Sequence, residues 1–281
     1  MDLVRFEGFS FRYKGNEDYA LNNINLKIEE EKFILLCGET GSGKTTLIRC
    51  MNGLIPQFYS GFYKGKVFVH EKDTSIAPIA DLSTEVGIVF QNPENQLIAM
   101  NVEHEIAFGL ENLGIPPKEI RIRIEESASL TEIEHLLDKA PFELSGGEQQ
   151  RVAIASILVL KPKILILDEP TALLDPYMAK KIITLLKDIQ LERNLSVMIS
   201  EHRLDLVIPF AEEMILMKEG GIVEHDSRDN VLNGQTFQKL KLNKPVLYTI
   251  FNRLREENLF SGKIPASIQE ALDYIKKLHQ S

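Results

Sequence analysis

Phe33-Ile34-Leu35-Leu36-Cys37-Gly38-Glu39-Thr40-Gly41-Ser42-Gly43-Lys44-Thr45-Thr46 is the stretch that decides how this chain folds. Phe33 to Cys37 are continuously apolar, the pattern of a strand buried on both faces. Gly38 to Thr45 then read G-x-x-x-x-G-K-T in full, and a helical stretch follows through Met51. Strand, glycine-rich turn and helix together are the context that gives this motif its meaning. The glycines let the backbone curl so that successive N–H groups converge on phosphate oxygens, and the helix start adds the positive end of a dipole. Gly38, Glu39, Thr40, Gly41, Ser42, Gly43, Lys44, Thr45 and Thr46 are therefore candidate nucleotide ligands. Lys44 can reach the β- and γ-phosphates, and the Thr45 hydroxyl can bind Mg²⁺.

Outward from this stretch the pattern repeats. Val86 to Phe90, Ile164 to Leu167 and Ser196 to Ile199 are further buried-strand runs. Helical patterns at Ser145 to Leu160 and Tyr177 to Arg193 lie between them. Buried strands alternating with helices predict a mostly parallel sheet covered on both faces, an α/β fold that together with this phosphate loop resembles the P-loop NTPase (RecA-like) type. The first thirty residues alternate apolar with polar around a Tyr13-Lys14-Gly15-Asn16 turn, which predicts an antiparallel β subdomain. Residues from about 91 to 148 read as a charged helical insertion. After Gly234 the chain turns helical again, and Ile268, Leu272, Ile275 and Leu278 share one helical face, the mark of a surface that packs against something. The expected division is 1–235 for the nucleotide domain and 236–281 for a C-terminal helical extension.

The bulk composition narrows the function classes. The 281 residues are 44% hydrophobic and 26% charged, enough to fill a sizeable core, and the formal net charge is −9. Acidic residues outnumber basic ones, which counts against a chain built to wrap nucleic acid. Cys37 and Cys50 sit in apolar stretches and read as buried free thiols in a reducing compartment. No charged-then-apolar leader opens the chain, and the longest apolar run, Val152 to Leu160, is about half of what a spanning helix needs. A membrane role is expected to come through a partner.

Two further motifs carry chemistry. Asp168-Glu169 ends the third buried strand, where Asp168 can hold Mg²⁺ and Glu169 can orient the proton of an attacking water. An acidic strand end alone would be ordinary; a phosphate loop upstream changes its weight. Leu144-Ser145-Gly146-Gly147-Glu148-Gln149-Gln150 starts a helix, and Ser145 with Glu148 three residues later fits a capping box. A capped helix start is also an anion site.

Together these elements resemble the ATP-binding cassette (ABC) ATPases over roughly residues 1 to 235. The resemblance implies that Ser145, Gly146, Gly147 and Glu148 form the signature motif that closes on the γ-phosphate held by a partner subunit. It also places Gln91 as the glutamine that touches Mg²⁺ and relays to a membrane partner, and His202 as the switch histidine on the γ-phosphate. Tyr13 matches the aromatic that stacks on adenine, with Tyr19 a nearby alternative. Asp175 fits the loop that communicates between subunits, although its neighbours Ala172-Leu173-Leu174 depart from the commoner Ser-Ala-Leu.

Only about a hundred residues separate Lys44 from Ser145, which leaves no room for the coiled coil of chromosome-maintenance relatives. The amide-rich run Phe90-Gln91-Asn92-Pro93-Glu94-Asn95-Gln96-Leu97 and the segment Ser200-Glu201-His202-Arg203-Leu204 are similar to those of energy-coupling factor (ECF) transporter ATPases, which take up vitamins and metal ions. The resemblance implies an ATP hydrolase with Mg²⁺ at the cytoplasmic face of the membrane. Its partners would be a second ABC ATPase subunit, identical or homologous, joined through the 236–281 extension, a transmembrane coupling protein and a substrate-binding membrane subunit. The competing expectation is a soluble ABC ATPase with a regulatory or repair role.

Overall fold

The computed structural model describes residues 2–278. Strands β1 (Asp2–Tyr13), β2 (Leu21–Glu29) and β3 (Phe33–Gly38) lead into helices α1 (Lys44–Met51) and α2 (Leu54–Gln57). Strands β4 (Gly61–Val69) and β5 (Lys72–Asp73), helix α3 (Ile79–Ser83) and strand β6 (Val86–Val89) follow. Helices α4 (Val102–Asn112), α5 (Pro117–Thr131) and α6 (Gly146–Leu158) precede β7 (Ile164–Asp168), α7 (Pro176–Arg193) and β8 (Ser196–Ser200). A short α8 (Leu204–Val207) and the pair β9 (Glu213–Lys218) and β10 (Gly221–Ser227) complete the strands. Helices α9 (Arg228–Asn233), α10 (Gln235–Lys239), α11 (Val246–Glu256) and α12 (Ile268–Leu278) end the described chain.

Two sheets form. The larger has the order β10-β9-β3-β8-β7-β6, parallel from β9 through β6, with β10 antiparallel at the edge. The smaller is antiparallel in the order β2-β1-β4-β5. Strands β4 and β5 and the β9–β10 pair are additions to the strands expected from sequence. Residues 61 to 66 of β4 are exposed, so no buried face marked it. The run Met214 to Met217 in β9 carries the same apolar signal as the other parallel strands, so its sequence did contain a cue.

The pleat of the central strands sorts their side chains between two cores. Phe33, Leu35, Cys37, Leu165, Leu167, Val197 and Ile199 face the layer of α7 and the C-terminal helices. Ile34, Leu36, Ile164, Ile166 and Met198 face α1 and the antiparallel sheet. Cys37 and Cys50 are both buried free thiols, one in each core, and burial holds both thiols above their ordinary range.

A third core lies among α4, α5 and α6. Helix α6 serves two layers: Val152, Ala155 and, just past its end, Val159 face the helical cluster, whereas Ala153, Ile154 and Leu158 face the sheet. The start of α6 is thereby fixed to both parts of the molecule. The C-terminal helices share the α7 core through Phe237, Tyr248, Phe251 and Phe260, with edge-to-face rings 4.9 and 5.0 Å apart. In α12 the inward side chains are Ala271 and Tyr274. The expected packing face points outward: Ile268, Leu272 and Ile275 are 70%, 45% and 44% exposed, and the side chain of Leu278 lies outside those described. No helix among the described residues is long and apolar enough to cross a membrane.

Candidate functional site

Parallel pairing brings the carboxyl ends of β3, β7 and β8 to one edge, where ligands of open α/β sheets bind. Three loops leave that edge and carry the candidate residues. The phosphate loop needs its glycines for different reasons. Gly43 has φ +102°, and a Cβ there would lie 2.6 Å from the Ala20 carbonyl oxygen. Gly41 has φ +79°, with no atom within 4 Å of where a Cβ would be, so its backbone faces free space. Ser42 Oγ is buried with no hydrogen-bond partner, an orphan expected of a loop that holds a polar ligand.

Lys44 Nζ donates to the carbonyls of Gly38 at 2.9 Å and Glu39 at 3.2 Å. Burial pulls its pKa below the ordinary lysine value, and Glu169 and Asp168 partly oppose that shift. Thr45 Oγ1 donates to Asp168 Oδ2 at 2.6 Å, and Ser200 Oγ donates to Asp168 Oδ1. Thr45 and Asp168 thus set a hydroxyl and a carboxylate side by side, oxygen donors of the kind that could hold Mg²⁺. No group of three or more His, Cys, Asp or Glu side chains among the described residues is placed to hold a metal.

Glu169 lies past the strand end with φ +52°, an uncommon conformation for a residue with a Cβ. Its carboxylate accepts from Gln91 Nε2 at 2.8 Å and from His202 Nε2 at 3.0 Å. Three loops thus meet at one carboxylate. Gln91 precedes a run braced by its own amides: Gln96 Oε1 accepts from Phe90 N–H at 3.1 Å, and Gln96 Nε2 donates to the Ile88 carbonyl at 3.2 Å. Asn92 caps the short Pro93–Asn95 turn.

Glu201 has a place in the Ser200–Leu204 segment but no role readable from sequence. It is 2% exposed and takes four hydrogen bonds, two from Thr171 and two from the N–H groups of His202 and Arg203. A lone acid after a strand carries no signal; only the pairing of β7 with β8 brings its partners together.

Tyr13 is half-buried, with its hydroxyl 3.1 Å from Thr46 Oγ1 and within 3.4 Å of Arg49 Nη1. It is thus tied to α1. Tyr19 lies apart, against Phe62 with ring centroids 6.4 Å apart. Glu39 reaches the C-terminal region, where Lys241 N–H donates to its Oε1 at 3.3 Å.

Ser145 caps α6, and Glu148 Oε2 accepts from both its N–H at 2.8 Å and its hydroxyl at 2.7 Å. These bonds hold the Glu148 carboxyl below the usual range. The two glycines differ. A Cβ on Gly147 would meet Met178 Cε at 2.6 Å, whereas one on Gly146 would have its nearest neighbour, Leu174 Cδ2, at 3.8 Å. Gly147 permits packing within the chain, and Gly146 leaves an open face. Among the described residues no hydrogen bond joins Leu144–Gln150 to Gly38–Thr46. Asp175 caps α7, accepting from the N–H groups of Tyr177 and Met178.

The ABC transporter family model matches residues 21–172. An ABC transporter ATP-binding protein of Methanosarcina mazei is 43% identical over 79% of this chain and 38% of its own length. One of Pyrococcus abyssi is 36% identical over 99% of both chains. The HMP/thiamine import ATP-binding protein YkoD of Bacillus subtilis is 36% identical over 94% of this chain and 50% of its own. The chain thus spans well under two thirds of the Methanosarcina relative and nearly all of the Pyrococcus one. Among solved structures, CbiO1 of Clostridium perfringens, part of the ABC transporter complex CbiONQ, superposes with a TM-score of 0.75 and 33% identity, over 89% of this chain and 99% of that one. A dimeric ATP-binding cassette in a post-hydrolysis state, bound to ADP and Pi, superposes with a TM-score of 0.69 and 29% identity, over 80% and 98%.

Proposed function

This chain belongs to the ABC transporter ATP-binding family, and from that premise we propose that it is the ATP-hydrolysing subunit of an energy-coupling factor type importer of vitamins or transition-metal ions. The observation that carries the hydrolytic part is the junction of Glu169 with Gln91 and His202, beside Lys44 and the Thr45–Asp168 pair. In this reading the phosphate loop holds the triphosphate and Lys44 neutralises its terminal oxygens. Glu169 orients the attacking water, and His202 positions the γ-phosphate. Thr45, Asp168 and Gln91 would hold Mg²⁺, which would supply charge neutralisation at the phosphates. Tyr13 stacks on the adenine.

The signature residues Ser145, Gly146, Gly147 and Glu148 serve a second cassette, identical or homologous. The open face of Gly146 supports that assignment. Residues 1–235 act as the cassette. The 236–281 extension joins the two subunits, with Ile268, Leu272 and Ile275 as an apolar face exposed on α12.

The importer type is supported by the likeness to CbiO1, by the thiamine-import relative and by the braced amide run after Gln91. That run would receive a transmembrane coupling protein, which binds a separate substrate-binding membrane subunit. The chain would then lie at the cytoplasmic face of the membrane. Affinity purification of the tagged chain from its own cells tests this. A polytopic membrane protein and a second cassette should come with it; recovery from the soluble fraction with DNA instead would contradict the importer reading.

A further inference from the structure

Glu201 is more than a loop anchor. Its buried carboxylate divides its two oxygens between two loops that are 30 residues apart in sequence. Oε1 accepts from the Thr171 N–H at 3.0 Å and from the Thr171 hydroxyl. Oε2 accepts from the N–H groups of His202 at 2.9 Å and Arg203 at 3.1 Å. Arg203 adds a second tie, donating from Nη1 to the Leu174 carbonyl at 3.2 Å. The loop from Thr171 to Asp175 and the segment from Glu201 to Arg203 are therefore joined at two points.

What these loops carry gives the joint its consequence. His202 is bonded to Glu169, the group that would orient water. The other loop projects Leu173, which is 70% exposed, and runs into α7, whose Tyr177 is 66% exposed. Exposed apolar side chains flanking a site that lacks half its phosphate donors are placed to meet a second subunit. A displacement of Leu173 or Leu174 on docking would act on Glu201 through Thr171, and on Arg203 directly. Both routes end at the backbone of His202. A carboxylate satisfied on both oxygens transmits such movement well, because breaking either arm leaves a buried charge short of partners.

We propose that Glu201 is a positioning residue that couples the Thr171–Asp175 loop to His202, so that engagement of a second subunit at that loop sets the His202–Glu169 geometry. This rests on the composite-site reading given above. The amide of Glu201→Gln can still accept on one arm but turns donors towards donors on the other. Thr171→Val removes the hydroxyl and keeps the N–H, whereas Thr171→Ser keeps both.

The test is steady-state ATP hydrolysis with Mg²⁺ by the full-length chain together with whichever second cassette co-purifies with it, with thermal melting of each variant measured alongside. Glu201→Gln and Thr171→Val should lower kcat on the order of 10-fold. KM for ATP should stay within about 2-fold, because the phosphate loop is untouched. Thr171→Ser should keep the wild-type kcat. Should Glu201→Gln fail to fold, the Thr171 pair still decides. Wild-type kcat in Thr171→Val, or losses confined to the melting temperature, would overturn the inference. A wild-type chain with no ATP hydrolysis at all would instead contradict the parent reading.

Discussion

Glu169 and His202 meet at 3.0 Å, carboxylate to imidazole Nε2, although 33 residues separate them in sequence. The carboxylate accepts, so the imidazole proton in this pairing is on Nε2. The second carboxylate oxygen is bonded to Gln91, so both oxygens are fixed by groups that the mechanism also needs. Neither loop can move without altering the group assigned to orient water. Two ties on one carboxylate, rather than a lone acid at a strand end, are what give Glu169 a defined direction.

Replacement of His202 by Ala should therefore act on turnover and not on nucleotide capture. The ring touches Glu169 and none of the bonds within the phosphate loop. We expect kcat to fall about 10²- to 10⁴-fold while ATP affinity, read by a fluorescent nucleotide analogue, changes little. A matching loss of affinity would show that the histidine acts by holding the loop.

Gly146 separates stability from function. No neighbour blocks a methyl group there, and Ala is the better helix former. Gly146→Ala should therefore stabilise the isolated chain by about 0.5 kcal/mol in chemical denaturation. In the proposed composite site the same methyl would occupy the face offered to a partner's γ-phosphate. ATP-dependent dimerisation, followed by analytical ultracentrifugation, should weaken. A variant that is both more stable and equally able to dimerise would remove Gly146 from the interface.

If Lys44 holds the phosphates as proposed, it should set an alkaline limit on nucleotide binding. Burial lowers its pKa from the ordinary 10.5, and a bound triphosphate favours the charged form. Above the lowered pKa, binding must therefore take up a proton, so affinity falls as pH rises and begins to fall below pH 10.5. Lys44→Arg stays charged throughout that range and should show a flatter profile, whatever its absolute affinity. Titration of ATP binding by calorimetry across alkaline pH checks the slope. Parallel slopes for the two proteins would assign the pH dependence elsewhere.

Much of this architecture was legible because buried parallel strands are written as continuous apolar runs. Phe33 to Cys37, Ile164 to Leu167 and Ser196 to Ile199 all lie in the central sheet, and Gly38 to Thr45 makes the turn that its spacing implied. Strand β4 was not legible, since a solvent-exposed stretch such as Phe62-Tyr63-Lys64-Gly65-Lys66 has no buried face to announce it. The outward face of α12 was legible as a face but not in its direction, because periodicity gives which side chains align and not which neighbour they meet. Glu201 was invisible for another reason: its four partners come from two loops that only strand pairing sets side by side.

The central claim, that Glu169 drives hydrolysis at a site closed by a second cassette, is tested most directly by phosphate release from Glu169→Gln with ATP and Mg²⁺. The amide keeps the shape and cannot take a proton from water. Phosphate release should fall at least about 100-fold, and the variant should accumulate as an ATP-bound dimer. Phosphate release at the wild-type rate, with no ATP-bound dimer, would contradict it.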